Sequence, residues 1–186
     1  MFLQQHGGWD INGFMSRDFT ALQVASSTAG VIEWLLDHGL DPNLECYGGT
    51  VFSNGPLTPM DVAILYERNT RMLDEMVSRG GKVTRHSLFL ALPRSGGASI
   101  RVMERLLDLG ADPKAVERGY GPVLHLAVRR GGYDIVRLLL ERGADVHQRA
   151  SPTDNREALE IAQRLGKSRI VELLQSYIQR NGHEEK

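Results

Sequence analysis

One short phrase returns along the chain at a nearly fixed interval, and it limits what the chain can fold into more than any other feature. Gly110-Ala111-Asp112-Pro113 and Gly143-Ala144-Asp145-Val146 lie 33 residues apart. Gly39-Leu40-Asp41-Pro42-Asn43 and Gly8-Trp9-Asp10-Ile11-Asn12 are further copies, and Gly80-Gly81-Lys82-Val83 is a degraded one. An apolar stretch precedes most of them: EWLLDHG (33–39), DEMVSRG (74–80), ERLLDLG (104–110) and RLLLERG (137–143). A second phrase follows each: FTALQVA (19–25), LTPMDVA (57–63), HSLFLA (86–91), VLHLA (123–127) and ALEIA (158–162). Modules of this length cannot bury their own apolar face, so neighbours in the array must bury it for one another.

The stretch HLAVRRGGYDIVRLLLERGADV (125–146) shows how one module works. Leu124, Leu126 and Ala127 give a short first helix its buried side, with a small residue where two helices approach. Ile135, Val136, Leu139 and Leu140 have the spacing of a second helix with one buried stripe. Gly131-Gly132 is the turn between them. Gly143 supplies the positive φ that ends the second helix, and Ala-Asp opens a hairpin-like loop to the next module.

These phrases resemble the ankyrin repeat, T-P-L-H-x-A followed by a helix–turn–helix and L-L-x-x-G-A-D-x-N. The resemblance spans essentially the whole chain and is in register, since Gly8 to Gln23 and Gly110 to His125 both cover 15 residues. It implies an all-α fold, an α-solenoid of about five helix–turn–helix units joined by hairpin-like loops. The expected organisation is a remnant of a preceding repeat at 1–12, then repeats at about 13–44, 45–84, 85–115, 116–148 and 149–180, then a polar tail at 181–186.

The departures from the pattern carry information of their own. The chain starts inside a repeat, which is the expected look of a truncated or longer array. Otherwise the open side meets a partner, or Phe2, Leu3, Trp9 and Phe14 fold back over it. At the other end Glu157, Glu160, Arg164, Lys167, Arg169 and Glu172 suit a polar capping surface. Gly39 to Asp61 spans 22 residues where regular repeats have 15, and the extra segment, ECYGGTVFSNGPLTP, suggests a lengthened hairpin finger. Gly80 to Phe89 is only 9 residues, a clipped loop, and Pro93–Ala98 reads as an added loop between helices.

Composition narrows the function classes. Apolar residues at 41% suffice for a core, and the formal net charge of −1 argues against a nucleic-acid binder. The charge is divided unevenly: residues 1–80 hold 4 basic and 10 acidic residues, and residues 81–186 hold 18 and 13. Cys46 is the single cysteine, which excludes an internal disulfide and a thiolate zinc cluster and reads as an incidental loop thiol. No signal peptide or membrane span is evident, and a cytoplasmic or nuclear location is expected. His6, His38, His86, His147 and His183 lack metal-ligand spacing, and His125 falls on the repeat's structural histidine, with Pro122 where threonine is usual. No phosphate loop, nucleophile elbow or zinc-protease motif occurs, so no enzyme, no cofactor and no metal are expected.

The resemblance instead implies a non-catalytic module that binds another protein on a concave strip of hairpin tips and first-helix ends. Carried over residue by residue, that strip includes Arg118, Arg129 and Arg130 of the fourth repeat, Leu65 and Tyr66 of the second, Arg17 of the first and Arg164 of the last. Tyr120 beside Arg118 pairs an aromatic with guanidinium groups, the residue types enriched at interface hot spots. Tyr47, Val51 and Phe52 would stand on the finger. The arginines suit an acidic partner segment. The alternative function is a recruiting or autoinhibitory ankyrin segment of a larger multidomain protein. Self-association through the uncapped N-terminal side is a further expectation.

Overall fold

The computed structural model describes residues 10–13, 30–46, 56–66, 70–92, 100–130, 132–149 and 156–181. The chain divides into two compact parts, Met1–Lys82 and Val83–Lys186, each with its own core.

In the first part, α1 (Val31–Asp37) buries Ile32, Leu35 and Leu36, and is followed by the pair α2 (Pro59–Tyr66) and α3 (Thr70–Ser78). The Thr-Pro-Met-Asp phrase starts α2 by a reciprocal cap. The Thr58 amide and hydroxyl donate to Asp61 Oδ2 at 3.1 and 3.0 Å, while the Asp61 amide donates to Thr58 Oγ1 at 3.2 Å. Both ends of this box are buried, so the Thr58 and Asp61 amides are satisfied without water. α3 is amphipathic and seats Met72, Leu73 and Met76. Arg79 ties α3 to α1 by contacting Asp37 and Glu75, both at 2.6 Å.

The second part contains α4 (Ser87–Ala91), α5 (Ile100–Asp108), a two-stranded hairpin β1 (Val116–Glu117) and β2 (Gly121–Pro122), then α6 (Val123–Arg130), α7 (Tyr133–Glu141), α8 (Ala158–Arg164) and α9 (Ser168–Asn181). The hairpin is antiparallel, Val116 opposite Pro122 and Glu117 opposite Gly121. First helices pack on first helices (α4 on α6, α6 on α8) and second on second (α5 on α7, α7 on α9). The spine of the core is Phe89, Met103, Leu106, Leu124, Leu139 and Leu174, each less than 2% exposed.

The Gly-x-Asp phrase has one geometry at α1, α3, α5 and α7. At α5 the Gly110 amide donates to Leu107 O and the Ala111 amide to Leu106 O. At α7 Gly143 and Ala144 do the same to Leu140 O and Leu139 O. This is the paired capping of a helix that ends in a left-handed residue, and Gly110 and Gly143 have φ of 93° and 90°. The asparagines of the phrase then clamp one loop to the next. Asn12 Nδ2 donates to Gly39 O and its Oδ1 accepts from the Asp41 amide; Asn43 makes the same pair with Gly80 O and the Lys82 amide.

Several expectations change on contact with the structure. Cys46 is not an incidental loop thiol: it is fully buried, its backbone pairs with Leu57 in an antiparallel bridge, and burial pushes the thiol up to about 11. That bridge closes the base of the long insertion, whose finger lies outside the described residues. Gly81 stands where other copies carry alanine, leucine or tryptophan because a Cβ there would lie 2.7 Å from Met76 O and 3.3 Å from Met60 Cε. Lys167 is not part of a solvated cap. Its ammonium donates to Val128 O and Arg129 O at 2.8 and 3.0 Å and so closes the C-terminal end of α6.

Candidate functional site

The hairpin is held from below by a buried histidine–carboxyl contact. Glu117 is 4% exposed and its Oε2 lies 2.6 Å from Nδ1 of His86, whose side chain is 12% exposed. His86 precedes α4, so this contact fastens the finger of one repeat to the head of the preceding one. The Val123 amide donates to Ala115 O at 2.9 Å and joins the finger to the start of α6. Arg118, Gly119 and Tyr120 therefore form a tip set by strand pairing and by the buried His86–Glu117 contact.

Of the expected site residues, the structure brings four together here. Arg118 is exposed at the tip, and Tyr120 is half-buried beside it. Arg129, exposed in the last turn of α6, donates from Nη1 to Tyr120 O at 3.4 Å. Arg130 places its guanidinium 5.8 Å from the centre of the Tyr120 ring and donates to Leu92 O at 3.4 Å. Arg130 is consequently a brace between α4, α6 and the hairpin, half-buried and committed, while Arg118 and Arg129 face solvent. Arg164 is exposed in the last turn of α8. Lys167, three residues on, reaches the end of α6, so the C-terminal ends of α6 and α8 are neighbours and Arg164 borders the same basic surface. Leu165 (50% exposed) follows Arg164 and Val116 (51% exposed) opens β1, two exposed apolar side chains that the repeat motif does not single out.

The remaining expected residues are not assembled into this patch. Leu65 is half-buried in α2 of the first part. Tyr66 ends α2, with its side chain outside the described residues, and Arg17, Tyr47, Val51 and Phe52 lie outside them altogether. His125 is completely enclosed in α6, where no substrate could reach it. Among the described residues no group of three His, Cys, Asp or Glu side chains could hold a metal, and no helix is long and apolar enough to cross a membrane.

Helix pairs joined by a finger loop, glycine-capped and packed first on first and second on second, define a class of stacked helical repeat protein. A family model for ankyrin repeats in three copies matches residues 88–183, and the chain belongs to the ankyrin-repeat family. Ankyrin repeats are generally protein-interaction modules and generally not catalytic. Among relatives, the chain is 37% identical over 65 residues to an I-kappa-B like protein N2 of Microplitis demolitor bracovirus, covering 35% of this chain and 34% of that protein. It is 50% identical over 54 residues to a mouse 2-5A-dependent ribonuclease, covering 28% of this chain and 7% of that protein. The chain thus spans about a third or less of the length of these relatives.

Proposed function

We propose that this protein is a non-catalytic binding module that holds a protein partner on the surface formed by the hairpin tip and the ends of α6 and α8. The observation that carries this reading is the braced finger. Arg130, Arg129 and the His86–Glu117 contact fix the tip, while Arg118 at the tip and Arg129 and Arg164 at the ends of α6 and α8 are exposed. A pre-set tip loses little conformational entropy when a partner binds. The partner chemistry this favours is an acidic segment with an apolar residue, the acid meeting the arginines and the apolar side chain meeting Val116 or Leu165. The I-kappa-B-like relative accords with a binding role. The 7% of the ribonuclease that is shared gives no ground for assigning that protein's chemistry here.

The test is affinity capture from cell extract with the natural chain and with an Arg118→Glu/Arg129→Glu/Arg164→Glu variant. Arg130 is left intact because it braces the fold. A partner captured by the natural chain and lost by the equally stable variant supports the reading. A partner held equally by both places the interface elsewhere, and the residues of the first part become the next candidates.

A further inference from the structure

Two loop clamps of the first part share one geometry and differ in the residue that follows. Asn12 donates from Nδ2 to Gly39 O at 3.0 Å and accepts at Oδ1 from the Asp41 amide at 2.8 Å. Asn43 donates to Gly80 O and accepts from the Lys82 amide, both at 2.9 Å. Asn12 is followed by Gly13, whereas Asn43 is followed by Leu44. The glycine has a local reason. A Cβ at position 13 would run into the carboxylate of Asp10, which precedes the helical turn at 11–13. The fold therefore keeps, beside one clamp only, the residue type that leaves a preceding asparagine most open to attack by its own backbone.

We infer that Asn12 is a modification site, at which water converts the side-chain amide to an acid and releases the first loop clamp irreversibly. The step is intramolecular. The Gly13 amide gives up its proton to solvent, and its nitrogen bonds to Asn12 Cγ. The Cγ–Nδ2 bond breaks, and Nδ2 leaves as ammonia with a proton returned by solvent. Water then opens the five-membered succinimide at one of its two carbonyls, leaving aspartate or isoaspartate. One water enters, one ammonia leaves, and no oxidation state changes. Glycine permits this closure because it sets no Cβ against the forming ring and lets the backbone turn freely. At Asn43 the side chain of Leu44 hinders it.

The clamp sets the rate. Ring closure requires the Asn12 backbone to leave its helical ψ and the side chain to swing over the Gly13 nitrogen. Both moves break the bonds to Gly39 and Asp41. Two hydrogen bonds of ordinary net strength favour the closed form about tenfold to a hundredfold, and conversion runs through the open fraction. The product does not reclose. Aspartate has no donor for Gly39 O and sets one acceptor against another. Isoaspartate adds a carbon to the main chain and displaces the turn that aims the side chain. The device is one-way: the first loop comes free of the second, while the Asn43 clamp stays in place.

The experiment follows each asparagine by peptide mapping and mass spectrometry while the full chain stands at pH 8, beside a free synthetic peptide of residues 9–14. The expected result is conversion at Asn12 about tenfold to a hundredfold slower than in the peptide, with none at Asn43 over the same time. Leu40→Ala empties a buried position between Gly39 and Asp41, and should raise the Asn12 rate towards that of the peptide. Leu44→Gly should bring conversion to Asn43. In the isolated isoaspartate form, hydrogen exchange of the Asp41 amide should be at least tenfold faster and that of the Lys82 amide unchanged. Conversion at the peptide's own rate, none at all at Asn12, a rate indifferent to Leu40→Ala, or an Asp41 amide still protected after conversion would overturn the inference.

Discussion

The His86–Glu117 contact offers a direct way to ask whether the finger is held from inside the core. The Glu117 side chain is 4% exposed and its near oxygen is 2.6 Å from the imidazole, so His86→Ala would leave a buried carboxyl oxygen without that contact. Leaving a buried polar group without its partner typically costs about 1–3 kcal/mol, and the upper figure suits a carboxyl group this deeply buried. Glu117→Ala should cost less, about 1–2 kcal/mol, because the imidazole left behind is the more exposed partner and can reach water. The double replacement should therefore cost less than the two singles together, with a coupling of about 1–3 kcal/mol. Urea unfolding at pH 7, followed by circular dichroism for the four proteins of the cycle, measures each term. Loss of less than about 0.5 kcal/mol in His86→Ala, the size of an ordinary surface substitution, or strict additivity would refute the argument that this pair anchors the finger.

Three further outcomes follow from the geometry. Gly81→Ala restores the alanine of the repeat phrase, yet it should destabilise the chain by about 1–3 kcal/mol, because the new methyl meets Met76 O at 2.7 Å; a raised melting temperature would contradict this. Asn43→Ala removes two loop-to-loop hydrogen bonds of 2.9 Å and should cost about 1–2 kcal/mol, read from the same unfolding curves; unchanged stability would show that water replaces both. For Cys46 the folded thiol is raised from 9.0 to about 11, so the unfolded chain releases the proton first as pH rises. That contribution is complete below pH 9 and declines by up to about 3 kcal/mol as pH climbs towards 11. A Cys46→Ala variant should lack this part of the alkaline decline, and the native thiol should resist a thiol reagent at pH 8 until urea is added; immediate labelling of the folded protein would refute its burial.

What could be read from the sequence was whatever repeats locally. Gly110 and Gly143 announce their helix ends because the capping geometry lies within five residues of chain. Leu124, Ala127, Val136 and Leu139 announce their burial through helical spacing. The hidden features join residues about one repeat apart, where local patterns carry no information: His86 to Glu117, Leu92 to Arg130, and Val128 to Lys167. A signal for such pairs does exist. Asp108 and Arg142 are 34 residues apart and meet at 2.7 Å, so opposite charges offset by one repeat period mark contacts between neighbouring repeats. The candidate site was legible as residue types and only partly as roles. Arg118, Arg129 and Arg130 look alike as exposed helix-end and loop arginines, and only the packed structure shows that Arg130 braces Tyr120.

The most direct measurement for the central claim is hydrogen exchange of the chain alone and in complex with a partner captured from cell extract. The account predicts slowed exchange of the amides in the finger, at 116–122, and in the last turns of α6 and α8, with the core helices unchanged. Protection confined to the first part of the chain, with the finger amides exchanging as in the free protein, would contradict it.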